Sequence, residues 1–255
     1  MYEILIYFKV MENGCIQLNK NKSYQQLFYS IMLNSNKDTA MKKHNEKSKN
    51  WIFSYFTCDK VLEKSTENNY DYIISKNTIM KWIIRTLDED VSEMIESGLN
   101  VSKNYKYDNV NISIVSAEIN NIRELKYNKK MSYITIDLET PTVLKVDAED
   151  DKKLSEYIKK YQYDKLISVG FKNLPNIKHI NFEIVDSDIY KSSGYFIENK
   201  KLLWEKGYKG FLVIKITGKY KETLDFINSF QYIGIGKRNN YGFGFNTIID
   251  IQQNH

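Results

Sequence analysis

Hydrophobic and polar positions alternate along Tyr2–Val10, with Ile4, Ile6 and Phe8 on one face and Glu3, Leu5 and Tyr7 on the other, which predicts a strand. Tyr24, Leu27, Phe28, Ile31 and Met32 then recur at i, i+3, i+4, i+7 and i+8, one apolar stripe. The spacing predicts a helix over Ser23–Leu33 with Ser23 as N-cap. A polar, Lys-rich stretch ending near Lys49 reads as a short helix or loop. Trp51–Phe56 is an aromatic-rich strand, and Tyr70–Ser75 and Thr78–Arg85 are further strand material. A helix capped by Thr86 or Asp88 runs through Leu99, with Val91, Met94, Ile95, Gly98 and Leu99 on one face. The Asp88–Asp90 carboxylates fall on its first turn, where the helix dipole favours negative charge. Asn109–Ile119 alternates again, so the order is β-α-β-β-α-β.

The second half repeats that order. Met131–Thr140 predicts a strand with Pro141 at a bend. Asp150–Ser168 predicts a helix with Leu154, Tyr157, Ile158 and Tyr161 in register. Lys178–Asp186 alternates with Ile180, Phe182 and Ile184 on one face and His179 on the other. Gly194–Leu203 reads as a hairpin arm, Phe211–Thr217 as a strand, Lys219–Phe230 as a helix and Phe243–Ile251 as the last strand. Two β-α-β-β-α-β units in tandem predict an α+β protein of two ferredoxin-like sheets, each antiparallel with its helices on one face. Charge and Asn interrupt the strands near Asn120–Lys130, which puts the first domain at residues 1–123 and the second at 124–255.

Composition removes alternatives. The chain has 255 residues, 42% hydrophobic and 27% charged, with 11 Gly and 2 Pro, which excludes collagen-like, linker-rich and predominantly disordered chains. No uncharged run is long enough to cross a bilayer, so no membrane partner is expected. Met1–Val10 lacks the basic and long apolar regions of a signal peptide. Cys15 and Cys58 make neither a disulfide framework nor a metal quartet, and the expectation is a cytoplasmic protein with reduced thiols. Net charge is 37 − 32 = +5, which permits an anionic partner such as nucleic acid without demanding one. No His/Cys/carboxylate grouping has metal-ligand spacing, so neither metal nor cofactor is expected.

The most specific string runs from Gly234 through Gly236, Lys237, Arg238, Asn239 and Tyr241 to Gly242, Gly244 and Phe245. Glycines at this spacing let the backbone turn sharply and approach a ligand closely. Exposed N–H groups can hold phosphate oxygens, Lys237 and Arg238 add charge, and Tyr241 can stack on a base. It is neither a Walker loop nor a dinucleotide fingerprint, because no Gly-Lys-Ser/Thr follows and Asn239 stands where the third glycine would fall.

Gly-apolar-Gly, a short basic insert, then Gly-aromatic-Gly-aromatic resembles the signature loop of the RAMP superfamily of CRISPR-associated proteins. Within it, size, tandem order and the N-terminal region resemble the repeat-RNA-processing endoribonuclease, the Cas-six family. That family places a Tyr late in the first helix, a His about fifteen residues on and a Lys shortly after. Tyr29, His44 and Lys49 match, with Lys47 competing for the lysine position. The resemblance implies metal-independent cutting of CRISPR precursor RNA within the repeat, leaving a 2′,3′-cyclic phosphate or 3′-phosphate. It implies RNA contacts by the basic residues of both halves, with Lys42, Lys43 and Lys47 joining the glycine loop. Other CRISPR-associated subunits or a second copy of the chain are possible partners, and a non-catalytic RNA-binding RAMP subunit is the alternative. The chemistry fits: a histidine serves as acid or base near neutral pH, a lysine steadies a charged phosphorane, and a tyrosine orients the 2′-OH. His179 and His255 enter no such arrangement.

Overall fold

The computed structural model describes residues 1–18, 20–46, 49–66, 72–122, 131–146, 150–171, 174–198, 201–238 and 243–253. The chain divides into two compact units. One comprises Met1–Lys47, Phe53–Ile122 and Tyr195–Leu203, the other Ser48–Ile52, Arg123–Gly194 and Trp204–His255.

The first half runs β1 (Tyr2–Val10), β2 (Gly14–Ile16), α1 (Asn21–Ser35), α2 (Lys37–Asn45), β3 (Trp51–Phe53), β4 (Thr57–Cys58), β5 (Glu63–Lys64), β6 (Tyr72–Ile74), β7 (Ile79–Thr86), α3 (Glu89–Val101), β8 (Asn104–Tyr107) and β9 (Val110–Asn121). The second runs β10 (Met131–Thr142), α4 (Asp151–Ser168), β11 (Phe182–Glu198), β12 (Lys201–Ile216), α5 (Tyr220–Asn228), α6 (Phe230–Ile233) and β13 (Asn246–Gln253). The first sheet has the order β3-β7-β1-β9-β8 and the second β11-β12-β10-β13. In both, the first strand lies between the third and last strands of a β-α-β-β-α-β unit, paired antiparallel to each. These are two ferredoxin-like sheets, as the periodicity predicts. A small sheet of order β2-β6-β5 is added to the first half.

The alternating residues become the core. Ile4, Ile6 and Phe8 of β1 and Met80, Trp82 and Ile84 of β7 are fully buried, beneath the α1 stripe and Val91 and Ile95 of α3. Tyr24 is the hub of an aromatic cluster with Phe53, Phe56, Trp82 and Tyr107, ring centroids 5.1–6.0 Å away. Its hydroxyl donates to the Leu18 carbonyl and accepts from the Phe56 N–H, both at 2.9 Å.

Where polar side chains take over backbone partners, the elements depart from the pattern. Ser23 is not the cap of α1, which starts at Asn21; its hydroxyl donates to Asp108 at 2.9 Å instead. The strand expected over Asn109–Ile119 is β9; Asp108, at φ +53°, turns the chain into it from β8, a strand the pattern did not predict. β3 stops at Phe53 because Ser54 turns its side chain to the ladder: its Oγ accepts from the Ile83 N–H at 3.1 Å. The strand expected over Lys178–Asp186 begins only at Phe182, after a 3₁₀ turn at Ile177–His179 capped by Asn176, so His179 lies on that turn. The helix expected over Lys219–Phe230 breaks at Ser229 into α5 and α6.

Candidate active site

Tyr29 follows the buried Phe28 on α1, so the 100° step per residue sets its half-buried ring at the edge of the stripe. It packs edge-on against Phe28, with centroids 5.3 Å apart at 82°. The Lys-rich stretch after α1 is the helix α2. Asn36 ends α1 and also caps α2, accepting from the Thr39 N–H at 3.0 Å. One residue therefore reverses the chain, and His44, in the last turn of α2, returns to α1. The ring of this exposed histidine stands 4.7 Å from that of Tyr29, at 63°. Its Nδ1 lies 3.4 Å from Asn45 Oδ1.

Lys42, Lys43 and His44 share that last turn, where the helix dipole favours cations. Lys42 is exposed. Lys43 is buried, its ammonium hydrogen-bonded to Asp88, with Asp90 at 3.6 Å and Glu46 at 3.9 Å. Burial opposes its charge, but the hydrogen bond and charge of Asp88, helped by Glu46 and Asp90, outweigh it and raise its pKa. Lys43 thus ties α2 to α3. Lys49 belongs to the other unit, within Ser48–Ile52, and its Nζ lies 5.2 Å from the centroid of the Trp51 ring. Lys47, its competitor, lies outside the described residues. The structure therefore brings Tyr29 and His44 together inside the first unit and sets Lys49 on an aromatic face in the second.

The glycine segment follows α6. Gly234, Gly236, Arg238 and Gly244 all have positive φ. Asn239, Tyr241 and Gly242 lie outside the described residues, as does His255. Among the described residues of the segment, several N–H groups that the sequence offers to phosphate are engaged within the fold. The Ile235 N–H donates to the Gly244 carbonyl at 3.0 Å, Lys237 N–H to Val143 at 3.1 Å and Gly244 N–H to Pro141 at 3.0 Å. The Phe245 N–H donates to Thr140 Oγ1 at 2.8 Å. These bonds clasp the segment onto β10 where its pairing with β12 shifts register between Leu138 and Thr142. Ile235, Phe243 and Phe245 are buried beneath it. Lys165 of α4 donates to the Ile233 carbonyl and, at 3.3 Å, to that of Gly234; burial holds its pKa well below the usual lysine range.

Lys237 and Arg238 are half-buried. Lys237 Nζ lies 5.8 Å from the centroid of the Tyr161 ring, which stacks on Tyr157 at 5.7 Å and 6°. Burial first, then the adjacent Lys145 and Arg238, lower the Lys237 pKa. Arg238 Nε is 3.8 Å from Glu205 Oε2. Lys145 had no local signal in the sequence, because it reaches this cluster only through the bridge between Val143 and Lys237. Among the described residues, no group of three His, Cys, Asp or Glu could hold a metal ion, and no helix is long and apolar enough to cross a membrane.

Two sheets of this order in tandem make a tandem ferredoxin-like fold. Within it the chain has the fold of Cas6. It matches a CRISPR associated protein Cas6 over 98% of its own length and 99% of that chain, with a TM-score of 0.65 and 18% identity. A protein solved in the characterization of a Cas6-related gene from Pyrococcus furiosus matches over 98% and 99%, at 0.71 and 16%. An RAMP protein described as binding different RNA substrates matches over 98% and 100%, at 0.71 and 13%. At these identities the likeness is one of fold. No protein-family profile matches the chain, and no curated sequence does.

Proposed function

We propose that this protein is a metal-independent endoribonuclease of the Cas6 kind, cutting CRISPR precursor RNA within the repeat. The observation that carries the reading is the meeting of the Tyr29 and His44 rings, 4.7 Å apart, at the surface of a chain with the Cas6 fold. In the reaction, a base takes the proton of the ribose 2′-OH and that oxygen attacks the adjacent phosphorus. The bond to the 5′-oxygen breaks, and an acid protonates the departing oxygen. The products are a 2′,3′-cyclic phosphate and a 5′-hydroxyl. His44 is the acid–base group, the Tyr29 hydroxyl orients the 2′-OH, and the Lys49 ammonium balances the charge of the phosphorane. Lys42, Lys237 and Arg238 contact the RNA backbone, together with Lys47 and Asn239, and Tyr241 stacks on a base. The glycines Gly234, Gly236 and Gly244 shape the segment that carries Lys237 and Arg238, and Gly242 belongs to the same RNA-binding set.

The test is incubation of the purified protein with candidate repeat RNA in EDTA, followed by end-group analysis. One cut per repeat leaving a cyclic or 3′-phosphate is expected. The likeness to an RAMP protein described as binding different RNA substrates favours a second reading, a non-catalytic RNA-binding subunit. Tight binding with no cutting would establish it. Association with other CRISPR-associated subunits or a second copy belongs to either reading and is checked by co-purification and sedimentation.

A further inference from the structure

We propose that the cavity beside the β11–β12 hairpin is a nucleotide subsite that takes one unpaired nucleotide of an RNA strand. The inference rests on the proposed RNA-directed function and extends it to a site away from Tyr29 and His44 in the chain.

The cavity has a volume of about 380 Å³. That is at the lower end of the roughly 300–1,000 Å³ of small-molecule clefts, room for a single nucleotide and not for a duplex. Lys191 of β11 and Lys206 of β12, both exposed, line it from the two strands. Ser192 and Ser193 line it from β11, where Ser193 shares a face with Lys191; Leu144 and the half-buried Tyr208 complete the lining. Among the described residues, no carboxylate lines the cavity. Two lysines, serine and one tyrosine match the three parts of a nucleotide. Lysines take the phosphate charge, hydroxyls reach phosphate and sugar oxygens, and the ring offers a stacking face for any base.

The walls are set by the sheet. Tyr208 pairs in register with Thr142 of the central strand β10. Beside it, Gly207 lies so close to that strand that a Cβ would stand 2.8 Å from the Thr142 carbonyl oxygen. Only a residue without a side chain keeps β12 at this distance. A floor fixed by strand pairing and carrying a ring, with exposed lysines at the rim, holds a base in place while the phosphate is met by charge.

The test uses the full-length protein and fluorescently labelled candidate repeat RNA, with affinity measured at two salt concentrations. Lys191→Ala/Lys206→Ala is expected to weaken binding and to reduce the slope of log K against log[salt] by up to about 1.4, two single-strand phosphate contacts. Tyr208→Leu is expected to weaken binding by about 5–150-fold, the worth of one base stack, with the slope unchanged. RNA carrying 2-aminopurine at successive positions should show one position quenched by the wild type and restored by Tyr208→Leu. The control Lys152→Ala/Lys160→Ala removes two exposed lysines of α4. An equal loss in the control, unchanged binding in the cavity variants, or no quenched position would overturn the subsite while the RNA-directed function stands. Wild-type protein that binds no RNA would instead remove the function on which the subsite rests.

Discussion

Lys43 and Asp88 join the end of α2 to the start of α3: the buried lysine ammonium is hydrogen-bonded to the aspartate whose other oxygen caps α3, accepting from the Val91 N–H at 3.4 Å. His44 is the next residue. The pair therefore fixes the turn that presents His44 to Tyr29, although neither member belongs to the proposed chemistry.

Asp88→Ala removes a cap and takes from the buried Lys43 ammonium its hydrogen-bonded carboxylate, with Glu46 and Asp90 farther away. Loss of about 3–5 kcal/mol of stability is expected, read from urea denaturation. Lys43→Met costs less, because Asp88 keeps its cap. In that variant the single-turnover rate on repeat RNA should fall while the shape of its pH profile stays the same. Lys43→Arg should restore the rate. An unaltered rate in Lys43→Met would show that the tie does not position His44.

His44→Ala is expected to lose about 10²–10⁴ in single-turnover rate, the usual worth of one acid–base group, with RNA affinity retained. Tyr29→Phe keeps the ring that packs on Phe28 and His44 and removes only the hydroxyl. Its loss should be about 2–12-fold, equivalent to one hydrogen bond of about 0.5–1.5 kcal/mol. A 2′-deoxy sugar just upstream of the scissile phosphate should abolish cutting, since the missing hydroxyl is the reactant. Cutting of that substrate at the normal rate would eliminate 2′-OH attack.

The glycine segment separates stability from binding. Gly236 has φ +76°, and a Cβ there would stand 2.5 Å from the Val143 carbonyl oxygen. Gly236→Ala should therefore cost at least about 1–3 kcal/mol and lower the melting temperature. Lys237→Ala/Arg238→Ala leaves the clasp intact and should weaken RNA binding while flattening its salt dependence. Unchanged affinity and slope would make the segment purely structural.

Burial, with Asp59 adding, pushes the Cys58 thiol up to about 11. The thiolate is the reactive form, so at pH 8 Cys58 carries about 100-fold less of it than an ordinary thiol. In a Cys15→Ser background, iodoacetamide should label Cys58 slowly at pH 8 and faster as pH rises toward 11. The sign for stability follows: the folded state keeps the proton longer, so this contribution is lost as pH rises from about 9 to 11.

Periodicity alone determined both sheets, because alternation and 3.6-residue stripes record which side chains leave water, and that is a local property of the chain. Ile4, Ile6 and Phe8 are buried as their pattern requires, and so are Ile180, Phe182 and Ile184, although the segment holding the latter starts as a 3₁₀ turn. The fifteen-residue spacing of Tyr29 and His44 is likewise written in the sequence. Their contact depends on Asn36 closing one helix and opening the next. What tertiary structure decided was the fate of polar groups, since a lysine or an amide acquires its partner only after distant strands meet. Lys43 looks like a solvated cation in a basic run, and only the arrival of Asp88 from α3 makes it a tie. The Lys237 and Gly244 amides look free for phosphate until the chain at the end of β10 supplies Val143 and Pro141 as acceptors. Lys145 and Lys237 share no local pattern, and Lys191 and Lys206 face one cavity only because a long hairpin folds them together. Hydrophobic burial is additive along the chain and survives in one-dimensional pattern; hydrogen bonds and charge pairs are specific to a partner, and only the folded chain names it.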